Sequence, residues 1–92
     1  MYKEENEDVE VLNYDDPNWY FTFDLGLSAA LISAGFSLVS IDRKNLSKAQ
    51  FCFRRSEGMD KTIEAYWSDT LLTKARTYFD TLKMLKNRLH SE

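Results

Sequence analysis

Between Leu25 and Ile41 the chain runs for seventeen residues without a charge, and whatever it folds into must bury this stretch. A helix needs roughly 20 predominantly apolar residues to cross a bilayer. This run falls short: Ser28, Ser33, Ser37 and Ser40 dilute it, and Gly35 breaks it. It reads instead as a core helix followed by a core strand. Leu27, Ala30, Leu31 and Ala34 recur at helical spacing, and Leu25, Ala29 and Ile32 form a second stripe. That spacing predicts a helix from about Phe23 to Ala34, apolar on most sides and therefore central. Thr22 is its expected cap, with Asp24 near the positive end of the helix dipole. Gly35 supplies a left-handed stop, beyond which Phe36 folds back on Leu31.

Two strands are expected next, over about Ser37–Arg43 and Ala49–Arg55, joined by Lys44-Asn45-Leu46-Ser47-Lys48. Strict alternation would set Val39, Ile41, Phe51 and Phe53 on the core face, and Ser40, Asp42, Gln50, Cys52 and Arg54 opposite, together with Leu38. A second helix is expected over about Glu57–Asp69, where Met59, Ile63, Tyr66, Trp67 and Thr70 share one stripe. A third is expected over about Lys74–His90, capped by Thr73, with Ala75, Tyr78, Phe79, Leu82, Leu85 and Leu89 inward. Lys86 lies beside that face and must snorkel to water. A lone hairpin is marginal in water, so the helices must cover it. The fold class is α+β: a small single domain ordered helix–strand–strand–helix–helix with a β-hairpin packed on helices. It comes with or without a further N-terminal strand from Val9, Val11, Leu12 and Tyr14, ahead of the turn Asp15-Asp16-Pro17-Asn18. Residues 9–92 form the domain, and residues 1–8 a mobile acidic arm.

The inventory of reactive groups is thin. The only cysteine, Cys52, excludes an internal disulfide and a Cys-rich zinc cluster, and the only histidine, His90, removes most metal sites and His-based triads. There is no Gly-rich phosphate loop, His-x-x-x-His or Cys-x-x-Cys. The carboxylate pairs Glu4/Glu5 and Asp15/Asp16 sit in solvated segments, whereas acid–base catalysis needs carboxylates in distinct, partly desolvated settings. Arg54, two residues from Cys52, could lower its thiol pKa, but a semi-buried strand cysteine is the plainer reading. The expectation is a protein that is not an enzyme, without cofactor or metal. The reduced cysteine and an acidic rather than basic-apolar N-terminus point to the cytoplasm, with no membrane association.

Charge is uneven. Residues 1–18 hold Glu4, Glu5, Glu7, Asp8, Glu10, Asp15 and Asp16 against Lys3, so the formal net charge of −3 conceals an acidic arm on a basic body. Arg43, Lys44, Lys48, Arg54 and Arg55 cluster on or beside the expected hairpin, and Lys83, Lys86 and Arg88 on the last helix, a distribution able to meet phosphates. Trp19, Tyr20, Phe21 and Phe23 are more rings than one buried edge absorbs, which makes Trp19 and Tyr20, with Tyr66 and Trp67, candidates for contact. Glu4, Glu5, Glu7 and Asp8 are the candidate residues of the arm.

Tyr20-Phe21-Thr22-Phe23-Asp24-Leu25, Ala29-Ala30-Leu31, Gly35-Phe36, Phe51-Cys52-Phe53, Ala65-Tyr66-Trp67 and Leu82-Lys83-Met84-Leu85-Lys86-Asn87-Arg88 follow in an order that resembles a family of small bacterial, archaeal and phage domains without assigned activity. The resemblance covers about residues 20–90. The acidic arm departs from that family's short N-terminus, and Gly26 and Ser28 stand where alanine-like residues are expected. It implies a phage or mobile-element setting. The leading expectation is a non-catalytic interaction or regulatory module that contacts a host or phage protein, or a nucleic-acid-handling complex. One alternative is direct nucleic-acid binding through the basic hairpin. Another is an inhibitor of host defence, acting by an acidic DNA-mimic surface or by sequestering a nucleotide signal. A homodimer through open sheet edges is a further option.

Overall fold

The structure, a computed structural model, describes residues 16–91. Strand β1 (Trp19–Thr22) leads into helix α1 (Leu25–Ser33), strand β2 (Leu38–Asp42), a 3-10 turn (Leu46–Lys48), strand β3 (Gln50–Arg54), helix α2 (Met59–Trp67) and helix α3 (Ala75–His90). The α+β expectation holds. An N-terminal strand is present, formed by the aromatic block; Val9–Tyr14 and the arm Met1–Asp8 lie outside the described residues. The turn before β1 closes through the Trp19 N–H donating to the Asp16 carbonyl (3.1 Å), with the Asp16 carboxylate accepting from the Asn18 N–H (2.9 Å).

Asp24, and not Thr22, caps α1. The backbone stays extended through Asp24, so the helix cannot begin before Leu25, and the Asp24 carboxylate reaches the Leu27 N–H at 2.7 Å. Thr22 acts one step earlier, accepting from the Asp24 N–H at 3.1 Å. At the other end Gly35 has φ of +101°, and the Phe36 N–H donates to the Leu31 carbonyl (3.0 Å) while that of Gly35 donates to Ile32 (2.9 Å). These are the paired bonds of a Schellman stop, and Phe36 packs back on the core. The two residues that interrupt an alanine-like helix have structural causes. Ser28 is fully buried and donates its hydroxyl to the Asp24 carbonyl (2.8 Å). Gly26 leaves room for the Tyr66 hydroxyl, which a Cβ would strike.

The sheet is antiparallel throughout, in the order β1–β3–β2. On central β3, Phe51 and Phe53 enter a core shared with Leu27, Ala29 and Leu31 of α1, Met59 of α2 and Leu85 of α3. Helices α2 and α3 both pack on α1, which occupies the centre as its apolar circumference requires. The expected core role of Val39 fails. The register shifts between Leu38 and Ser40, so a bulge at Val39 turns Leu38 and Ile41 to the same face, both against the core, and leaves Val39 42% exposed.

The third helix also departs from expectation. Lys74, not Thr73, holds its N-cap position, with no side-chain cap bond, because Thr73 lies one residue too early. Tyr78, Leu82, Leu85 and Leu89 form the inward stripe, while Phe79 falls on its flank and is 55% exposed. Lys86 reaches solvent. On α2, Met59, Ile63 and Tyr66 face the core, and Trp67 stands outside it, 60% exposed.

Gly26→Ala is expected to lower unfolding free energy by about 1–2 kcal/mol: crowding costs about 1–3, offset in part by alanine's better helix propensity. Urea unfolding measures it. Adding Tyr66→Phe, which removes the obstructing hydroxyl, should recover part of the loss.

Candidate functional site

The face of the sheet turned away from the core carries the second set of side chains. Trp19 lies opposite Arg54, Phe21 opposite Cys52, Ser40 opposite Cys52 and Asp42 opposite Gln50. The Arg54 guanidinium sits over the Trp19 ring, 4.9 Å from its centroid. A pair of this kind contributes about 0.5–1 kcal/mol at an exposed site and holds the arginine in one geometry. Cys52 is buried between these neighbours. Burial pushes its thiol up from the ordinary value, against the opposing hydrogen bond from Ser40 and the charge of Arg54. The thiolate that a nucleophile requires is therefore disfavoured.

The basic residues of the hairpin, read from sequence as one cluster, separate to its two ends, and those of the last helix stay a group of their own. Arg54 and Arg55 stand at one end of β3. Arg55 lies over the Tyr20 ring (5.2 Å) and donates to the Asp60 carboxylate at 2.6 Å. Burial raises the Tyr20 hydroxyl's pKa, partly countered by Arg55. Lys44 and Lys48 stand at the other end, about 13 Å away at the rise of a strand. With Phe23, Asp42, Asn45 and Gln50 they line a depression of about 190 Å³, Lys48 lying 5.6 Å from the centroid of the Phe23 ring. Lys83 and Arg88 belong to α3, where Lys83 covers Phe79 at 5.4 Å.

Arg43 has a structural occupation that the sequence did not reveal. Its Nη1 donates to the carbonyls of Arg88 (2.6 Å) and Ser91 (3.1 Å), capping the C-terminal end of α3 where the helix dipole is negative. Nothing local marks this role, since the partners lie more than forty residues away.

Of the aromatic candidates, Trp19 is on the outer face and Tyr20 packs against the core. Trp67 meets Tyr66 edge-on, with centroids 5.0 Å apart. Tyr66 and Tyr78 converge on the first turn of α1, where the Tyr78 hydroxyl donates to the Gly26 carbonyl at 3.2 Å. The Tyr66 hydroxyl is pushed up to about 12 by burial first, then by Tyr78 and Asp24. Gly26 inside an Ala/Leu helix was the available sequence signal for this convergence. The arm residues Glu4, Glu5, Glu7 and Asp8 lie outside the described residues. Among the described residues, no group of three or more His, Cys, Asp or Glu could hold a metal ion, and no helix is long and apolar enough to cross a membrane.

Arg43→Ala is expected to cost about 1 kcal/mol, the value of a partly exposed charge-assisted cap. Amide exchange in the last turn of α3 should accelerate with it. Because Tyr66 holds its proton more tightly when folded than the ordinary tyrosine value of 10.0, its contribution to stability is complete below about pH 10 and is lost as pH rises toward about 12. Unfolding midpoints measured across that window should fall less steeply in Tyr66→Phe.

No curated protein and no solved structure matches this chain. At family level the resemblance read from the motif order is borne out. A family defined as a domain of unknown function (DUF5659) matches residues 17–91, from the turn before β1 to the end of α3, and the chain belongs to it.

Proposed function

We propose that this domain is a non-catalytic binding module that meets a partner protein through the sheet face opposite its helices. The observation that carries the reading is the stacked Trp19–Arg54 pair on that face. Tryptophan and arginine are enriched among residues that dominate interface energies. An arginine already held on a ring loses less freedom on binding than a solvated one. In the phage or mobile-element setting implied by the motif order, the partner is a host protein or a nucleic-acid-handling complex.

Direct nucleic-acid binding is the second reading, favoured by the same pair, since an arginine on an aromatic ring also makes a stacking platform for a base. The distribution of cations weighs against it. Arg43 is tied to the end of α3 and Arg55 to Asp60, leaving Lys44, Lys48 and Arg54 on the hairpin to meet phosphates from two separated ends.

Capture from host lysate with the full chain and with Trp19→Ala/Arg54→Ala separates the two. The expected result is a specific protein whose retention drops about tenfold or more in the double variant while the unfolding midpoint moves little. Retention that ignores the substitutions overturns the proposal. Tight oligonucleotide binding with an affinity falling steeply in salt would establish the second reading instead.

A further inference from the structure

Away from the sheet, a groove runs beside α1 where it meets α3 and the segment joining α2 to α3. Two adjoining depressions, of about 250 and 380 Å³, open there and share Ala30, Leu71 and Thr73. Their chemistry is graded along the length. The larger is bordered by Ala34 and by Leu72, which is 93% exposed. The smaller ends at Tyr66, Tyr78 and Asp69.

That end is an array of acceptors. The Tyr78 hydroxyl commits its proton to the Gly26 carbonyl, which leaves its oxygen as an acceptor. The carboxylate of Asp69 has no hydrogen bond or ion pair among the described residues. Its backbone, at φ of 62°, follows α2 in the left-handed region, which aspartate and asparagine tolerate better than most residues. A carboxylate beside a hydroxyl whose proton is already committed is complementary to a positively charged hydrogen-bond donor. The basic residue on the border, Lys74, stands at the other depression and repels a second ammonium from that end.

We propose that this groove is a second binding site, which takes a lysine side chain from a partner protein, the ammonium against Asp69 and the tyrosine hydroxyls and the aliphatic stem across Ala30 and Leu71. Leu72 decides for a polypeptide over a free amine. It stands almost wholly in water at the rim, where it can meet the residues flanking an inserted lysine, while a small amine has nothing to place there. The site is independent of the sheet face.

The test is amide-resonance titration of the full chain with a capped pentapeptide carrying lysine at its centre and alanine elsewhere. The controls are the same peptide with acetyl-lysine, and n-butylammonium. The lysine peptide should move Ala30, Leu71 and Thr73 saturably, and the acetylated one should not. Asp69→Asn, which keeps a residue suited to the left-handed backbone, should weaken the effect about tenfold. Leu72→Ala should weaken the peptide and leave n-butylammonium unchanged. The proposal is overturned if lysine and acetyl-lysine peptides behave alike, if Asp69→Asn has no effect, or if nothing moves up to about 10 mM peptide. Binding of n-butylammonium as tight as the peptide's, with no effect of Leu72→Ala, would overturn the polypeptide assignment in favour of a small amine.

Discussion

Everything in this fold is arranged around a helix that cannot be left at the surface. Helix α1 is apolar around most of its circumference, and in a chain of 92 residues little else is available to wrap it. Fully burying a leucine such as Leu27 or Leu31 contributes about 1.5–3 kcal/mol, so leaving one flank of this helix in water would remove much of what a small domain can gather. The sheet therefore takes one side, with Phe51 and Phe53, while α2 brings Met59 and α3 brings Leu85. The polar groups that this burial would strand are resolved inside the helix or at its ends: Ser28 on the Asp24 carbonyl, Asp24 on the Leu27 amide, and the last carbonyls on the Gly35 and Phe36 amides.

Placing all three helices on one face of a three-stranded sheet has a consequence for its other face. Residues that alternate outward on β1 and β3 must stabilise one another, and the register puts Arg54 across from Trp19. The same pairing of cation and ring recurs off that face, at Arg55 with core-side Tyr20 and Lys48 with Phe23. Individually these are small terms. Their larger effect is to fix long side chains that would otherwise sample many rotamers, so a surface rich in binding-prone residue types is also ordered.

What was legible in the sequence follows from the range of the interactions. The Gly35 stop, the central helix and the core roles of Phe51 and Phe53 depend on spacing within a few residues, and they are found as read. Val39 and Phe79 were misplaced because a bulge resets a period of two and because a helix stripe has an edge, neither of which periodicity alone locates. β1 was hidden by its composition, since Trp19–Thr22 reads as a knot of rings until β3 is there to pair with it. Long-range assignments were least legible of all. Arg43 looked like one more surface cation, and only the tertiary fold brings it to the Arg88 carbonyl; Tyr66 and Tyr78 meet at Gly26 for the same reason.

The two candidate surfaces have a common origin in topology. Among the described residues the helices lie on one side of the sheet and leave its other face without helical cover, and the segment joining α2 to α3 leaves a groove beside α1. Charge is matched locally at Arg55–Asp60, Arg76–Asp80 and the Arg43 cap. At the two candidate surfaces, Arg54 lies over a ring, and Asp69 has no ion pair among the described residues. Their signs are opposite and they lie on different layers. One partner molecule reaching both would have to wrap the domain, so the arrangement suits two separate contacts, one offering acidic or aromatic groups to the sheet and the other a basic side chain to the helices.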